Sequence, residues 1–207
     1  MKGRMMKLTT LLPAAMASLA LAACATAPGP VEVTRFVAPE TAGQLAQGTV
    51  FVASMDGKDD DSLFLAPYKA AVAAELVRLG YAESDRESAD QIATVSLEKY
   101  VLEAGGGRRS PVSVGVGGST GTYGSGVGVG IGINLGGGER DKVGTELAVT
   151  IRDAATSASL WEGRADFRVK DNSPLAQSTA NAQTVAAALF SDFPGNNGET
   201  IEVEVSE

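Results

Sequence analysis

The sequence predicts an α+β domain: a mostly antiparallel sheet with two helices packed on one face and a glycine-rich hairpin insert. Three observations lead there. Apolar and polar residues alternate in short runs along most of the chain, the period of half-buried strands. Two stretches instead carry apolar residues at helical spacing, one between strands and one after them. Most of the 25 glycines fall in the single segment 105–138.

The first residues have a different design. Lys2, Arg4 and Lys7 precede an apolar run from Leu8 to Leu21, and small residues follow, the layout of a secretory signal. Leu21-Ala22-Ala23-Cys24 resembles the lipobox of bacterial lipoproteins and contains the only cysteine of the chain. The resemblance implies cleavage between Ala23 and Cys24, diacylglycerol on the thiol and acylation of the freed amine. Each methylene buried in the bilayer contributes about 0.8 kcal/mol, so two or three acyl chains hold a protein stably. Cleavage at an ordinary small-residue site around Ala23-Cys24-Ala25, or retention as a membrane helix, are the competing readings. A lone cysteine placed in the motif argues against both. Ala25, where enterobacterial sorting would use Asp to retain a lipoprotein in the inner membrane, favours the outer membrane, facing the periplasm. Residues 1–23 are expected to be the signal peptide, 24–30 the anchor and tether, and 31–207 one domain.

Loss of residues 1–23 removes three basic side chains and no acid, which leaves 14 basic against 25 acidic residues, a net charge of −11. Such a surface repels nucleic acid, which is excluded as a partner.

Along the domain, Val31, Val33 and then Arg35 alternate with Glu32 and Thr34 in a first strand, and Gly48–Ser54 forms a second. Asp59-Asp60-Asp61-Ser62 supplies charge and hydroxyl for a helix N-terminus. Pro67 belongs in the first turn, so the regular helix covers 66–79 and buries Tyr68, Val72, Leu76 and Leu79 before Gly80 stops it. Ile92–Leu102 alternates again, with Ala93, Val95 and Leu97 on one face. Thr145, Leu147, Val149 and Ile151 share the face of another strand, and Asp153–Ser157 is a turn by composition. The next strand turns Trp161, Gly163, Ala165, Phe167 and Val169 inward. Ser173-Pro174 should open the second helix, with Leu175, Thr179, Ala182, Val185, Ala186 and Leu189 buried. Phe193-Pro194-Gly195 breaks it, and Thr200–Val205 returns as a last strand. Trp161, Phe167, Leu147 and Leu76 are the expected core anchors.

Within 105–138, Val112, Val114 and Val116 alternate with small residues, as do Val127, Val129, Ile131, Ile133 and Leu135. The stretch Gly117–Gly126 between them suits a hairpin loop. One face of such a hairpin is β-branched and the other nearly bare backbone, which lets a neighbouring chain approach closely. The plain reading is a surface insertion whose valines pack on the domain's own core. The alternative makes Val127, Val129, Ile131 and Ile133 a contact surface for self-association or a partner strand.

Chemistry is scarce. The chain has no histidine, which removes Ser-His-Asp and Cys-His nucleophiles and His-ligated zinc. Cys24 is taken by the anchor. No phosphate-binding Gly-Lys-Ser/Thr loop is present, and the acids of Asp56–Asp61 lack the spacing of a calcium loop. No catalytic residue, metal site or cofactor is expected, and Trp161 reads as a core residue rather than a ligand platform.

Short segments in a fixed order carry a further resemblance: Gly48-Thr-Val-Phe51, Leu79-Gly-Tyr81, Ala89-Asp90, Gly144-Thr-Glu-Leu147, Asp153, Leu160-Trp-Glu-Gly-Arg-Ala165, Leu189-Phe190 and Phe193-Pro-Gly195. Over about residues 31–205 the chain resembles a bacterial lipoprotein family, that of domain of unknown function 4136, in which a glycine-rich insert also follows the middle strand. Ser157 departs from it where the family tends to have Gly. The resemblance implies an envelope lipoprotein with a compact α+β domain and brings no established activity. Two classes of function remain: a structural or interaction lipoprotein that binds another envelope component, which the inventory favours, and a small-ligand or carbohydrate-binding module or carboxylate-based hydrolase.

Overall fold

The computed structural model of the protein describes residues 28–55, 62–102, 108–114 and 142–205. Ala23 and Cys24, and the segment bearing Val127, Val129, Ile131 and Ile133, lie outside the described residues, as does the expected hairpin beyond its first arm. Ten elements follow in order: β1 (Val31–Val37), β2 (Thr49–Ser54), α1 (Ala66–Leu79), β3 (Ala82–Glu83), β4 (Gln91–Leu102), β5 (Arg108–Val114), β6 (Lys142–Asp153), β7 (Ser159–Lys170), α2 (Ser178–Leu189) and β8 (Glu199–Val203).

The strands make one eight-stranded sheet, seven of them in the order β3-β2-β4-β6-β7-β1-β8 and β5 beside β4 off this path. Most pairs are antiparallel, but β2 runs parallel to both β3 and β4. The reason is α1. A helix between two neighbouring strands returns the chain to the same end of the sheet, so β2, α1 and β4 form a crossover unit within an otherwise antiparallel sheet. β4 pairs with β6 over its whole length. Its other edge is shared, β2 lying along Gln91–Val95 and β5 along Leu97–Leu102. β5 is the first arm of the alternation seen in the glycine-rich segment.

Both helices pack on one face of this sheet, and against each other. Val31 and Val33 of β1, Trp161, Ala165 and Phe167 of β7, Leu147, Val149 and Ile151 of β6 and Ala93, Val95 and Leu97 of β4 are buried on that face. Tyr68, Val72 and Leu76 of α1 and Ala182, Val185, Ala186 and Leu189 of α2 close it. The four expected anchors are all buried, whereas Leu79 is only partly so.

The helix boundaries show where local chemistry departs from expectation. α1 begins at Ala66, as its periodicity requires, and Gly80 ends it at φ 113°, a backbone angle suited to glycine. Ser62 is not its cap. The Ser62 hydroxyl accepts from Leu65 N at 3.4 Å and its carbonyl from Ala66 N at 2.9 Å, holding the turn before the helix. The second helix starts later than Ser173-Pro174. Those residues form a separate 3-10 turn, Pro174–Ala176, in which Ser173 Oγ accepts from Leu175 N at 3.1 Å. Gln177 is extended, and α2 begins at Ser178. This shift turns Thr179 out to solvent and puts Asn181 on the buried side instead. The last strand covers Glu199–Val203 rather than reaching Val205.

Leu76 faces the sheet with no exposed surface. Leu76→Ala should therefore lower stability by about 2–5 kcal/mol, the transfer cost plus that of the cavity left behind. Denaturant melts will check this, and a loss under about half a kilocalorie would contradict the packing.

Candidate functional site

Arg35 is the largest buried charge among the described residues, with no exposed surface. Strand alternation puts it on the inner face of β1, beside the C-terminal end of α2, where carbonyls lack helical partners. Its Nε donates to Leu189 O at 3.3 Å, and Nη2 to Ser191 Oγ at 3.0 Å and to Ala188 O at 3.5 Å. Nη1 pairs with Glu199 Oε1 at 3.0 Å. The cation thus neutralises the negative end of a helix and ties it to the last strand. Glu199 Oε2 accepts from Asn196 Nδ2 at 2.9 Å. Hydrogen bonds from the backbone and side chain of Asn196, and then the Arg35 guanidinium, hold the Glu199 carboxyl below the usual range. An open depression of about 410 Å³ lies here, lined by Arg35, Asp192, Pro194, Gly195, Asn196, Glu199 and Ile201.

An aromatic clamp adjoins it. Trp161 stacks on Phe190 at 5.3 Å between centroids, meets Phe193 at 5.2 Å, and donates Nε1–H to Pro194 O at 2.9 Å. The indole lies over Gly163, where a Cβ would stand 2.2 Å from the ring. Glycine is needed there for this close approach. The Phe193–Pro194 peptide is cis.

A second cluster lies on the opposite, helix-free face. Tyr100 lies flat over Gly144, its hydroxyl donating to Asp166 Oδ2 at 2.6 Å and accepting from Arg168 Nε at 3.0 Å. Burial, with the Asp166 carboxylate beside it, pushes the Tyr100 phenol up to about 12. A third cluster closes the end of the sheet away from β5. Asp90 Oδ2 accepts from both Thr49 N and Thr49 Oγ1 at 2.8 Å, and its carboxyl is held below the usual range by those bonds. Asp153 Oδ1 accepts from Thr156 N at 2.7 Å and from Ala155 N at 3.1 Å, which organises the turn before β7. Ser157 in that turn has φ 61°, the left-handed region that favours glycine, and this is the position where glycine was expected.

Between the helices, Tyr68 donates to Asn181 Oδ1 at 2.7 Å, and Asn181 Nδ2 donates to Leu175 O. Lys99 sets its ammonium 5.6 Å from the Tyr68 ring and 6.0 Å from Phe64, and burial lowers its pKa. The described residues include no group of three or more Asp, Glu, Cys or His side chains able to hold a metal ion. No helix among them is long and apolar enough to cross a membrane. Sequence periodicity placed Arg35 on the inner face but gave no sign of its partners; Glu199, Ser191 and the α2 carbonyls come from the far end of the chain.

This arrangement defines a class: an α+β domain in which polar clusters join loops and strand ends that lie far apart in sequence. The chain belongs to the family described as Domain of unknown function (DUF4136), whose profile matches residues 39–195. Some of the short segments noted in the sequence meet in space: Gly48-Thr49 with Asp90, and Trp161 with Phe193-Pro194. A stretch of 64 residues is 34% identical to uncharacterized protein ZMO1243 of Zymomonas mobilis, covering 31% of this chain and 24% of that relative. Among solved structures, a PDZ domain protein from Parabacteroides distasonis aligns with a TM-score of 0.46 at 11% identity, over 84% of this chain and 39% of that one. A PelC dodecamer from Paraburkholderia phytofirmans aligns with a TM-score of 0.40 at 12% identity, over 78% of this chain and 95% of that one.

The Glu199 contacts fix a pH dependence. A carboxyl whose folded pKa is depressed adds stability above its unfolded pKa and loses it as pH falls through the folded value. Glu199→Gln should melt below wild type at pH 7, and the gap should close on acidification below about pH 4. Melting curves from pH 7 to 3 test this; a gap that stays constant would show that the ion pair contributes nothing.

Proposed function

We propose that the protein is an envelope lipoprotein, held through acyl chains on Cys24 in the outer membrane and facing the periplasm, which acts by contact and not by catalysis. The observation that carries this reading is the lipobox Leu21-Ala22-Ala23-Cys24 with the chain's single cysteine. Six residues separate Cys24 from β1, which starts at Val31, a reach of about 20 Å when extended. The sheet would then stand close to the bilayer surface.

Two features support contact as the mode of action. The polar groups of the described clusters bond to one another and organise turns and helix ends, so they are engaged in holding the domain. The segment bearing Val127, Val129, Ile131 and Ile133 leaves from β5, which has a described strand on one side only, and returns to β6. We assign that segment as the contact surface, for another envelope component or a second copy.

Cys24→Ser should abolish labelling by radioactive palmitate and leave the precursor uncleaved. A variant still processed and labelled like wild type would sink the anchor assignment. Replacing residues 115–137 with a short Gly-Ser linker should leave the melting transition intact and abolish capture, by crosslinking in cells, of the partner that the wild type is expected to give. If the partner persists, the segment is not the contact surface.

A further inference from the structure

We infer that the groove beside β1, filled here by β8, is an exchange site that can take the β8 of a second copy of this chain. The reasoning starts from how β8 is held. It pairs with β1 and with no other described strand, and it stands at the end of the sheet. None of its residues is fully buried, whereas Val31, Val33 and Arg35 on the strand it covers have no exposed surface. Among the described residues, every hydrogen bond made from residue 195 onward runs either to β1 or within the segment itself. Gly198 N donates to Arg35 O at 2.9 Å, Asn197 Oδ1 accepts from Val37 N at 3.1 Å, Thr200 meets Thr34 at 2.9 Å, and Glu199 takes Arg35. Upstream, the chain is fixed to the core by Pro194, through Trp161. The link between these two regimes is Gly195-Asn196, since Asn197 and Gly198 are already bonded to β1, and Gly195 has a positive φ of 73°. Extended, two residues reach about 7 Å.

An empty groove is a costly state. It would strip the buried Arg35 of the only carboxylate it meets among the described residues and open the edge of β1, and an unpaired buried charge is strongly destabilising. The groove therefore requires an occupant with a carboxylate opposite Arg35 and apolar residues two and four positions further on. Glu199, Ile201 and Val203 meet that requirement. A second copy's β8 offers the same side chains, so closed and exchanged forms contain the same bonds and differ mainly in chain entropy and local concentration. Exchange is a second mode of contact, at the edge of β1 and not at the segment bearing Val127, Val129, Ile131 and Ile133. It rests on anchoring only in that lipidation would confine copies to one surface and raise that concentration.

Thr34 and Thr200 are direct register partners with exposed hydroxyls, and so suit a disulfide report. Two differently tagged full-length copies are produced together, one with Thr34→Cys and the other with Thr200→Cys. The expected product is a disulfide joining the two tags, at least tenfold above a control pairing Thr34→Cys with Ser178→Cys on α2. A single chain carrying both Thr34→Cys and Thr200→Cys should close on itself. If that chain closes while the mixed pair gives no more product than the control, exchange is overturned. Amide exchange on wild type gives a second measure: β8 should exchange at least tenfold faster than β7, and equal protection would also overturn the proposal. Parent chains without added cysteine separate the two readings, because a disulfide there means that Cys24 is unacylated, which counts against the lipoprotein and not against the strand.

Discussion

A guanidinium removed from water must be given acceptors, and Arg35 finds all of its described acceptors at the end of the chain. Leu189 O and Ala188 O are carbonyls at the end of α2, the second shared with Ser191 N and Oγ, and Ser191 and Glu199 complete the set. One side chain on the first strand thereby fixes where the second helix stops, how the following turn runs and where the last strand begins. Breaking any one of these contacts leaves charge or polar surface buried. The aromatic clamp works in the same region by different physics. Trp161 needs Gly163 beneath its ring and a carbonyl for its indole N–H, and Pro194 supplies the carbonyl from the same turn that Arg35 organises. The two together join β1, β7, α2 and β8.

The helix-free face follows other rules. An antiparallel sheet tolerates water on one side, and this face carries Glu146 with Arg164, and Asp166 with Arg168 and Tyr100. Exposed ion pairs of this kind contribute little to stability. Their effect is local order: Tyr100 lies flat because Gly144 leaves room for it and because its hydroxyl is held from two sides.

Much of this fold was legible in the sequence, because alternation and helical spacing report which face of an element is buried. They located both helices, six of the eight strands in full or nearly so, the first arm of the glycine-rich segment as a strand, and the anchors Leu76, Leu147, Trp161 and Phe167. They do not report which strands lie side by side. The parallel pairing of β2 with β4, and the two-residue β3, follow from the route taken by α1 and not from any residue pattern. The start of α2 was misplaced because Ser173-Pro174 suits a 3-10 turn as well as an α-helix, and only packing decides between them. That error exchanged Thr179 for Asn181 on the buried side. Asn181 belongs there because Tyr68, distant in sequence, supplies the partner that a buried amide requires. The partners of Arg35 were hidden for the same reason.

The two ends of the sheet then differ in what they can accept. At one end stands β3, two residues long and too short to template a long strand. At the other stands β8, whose Glu202 is exposed on its strand and is followed by exposed Glu204, charges that discourage indiscriminate pairing along the outer edge. One layer further in, the edge of β1 is selective in the opposite sense, because Arg35 rejects any strand that lacks a carboxylate at the facing position. Specificity of this kind comes from the penalty imposed on the wrong occupant more than from attraction for the right one. A strand without the acid would leave a buried cation unpaired, while one with the acid but a polar residue at the Ile201 or Val203 position would lose the apolar contact with the core. A buried arginine near the edge of a sheet is thus both the fastening of the last strand and the test that any replacement strand must pass.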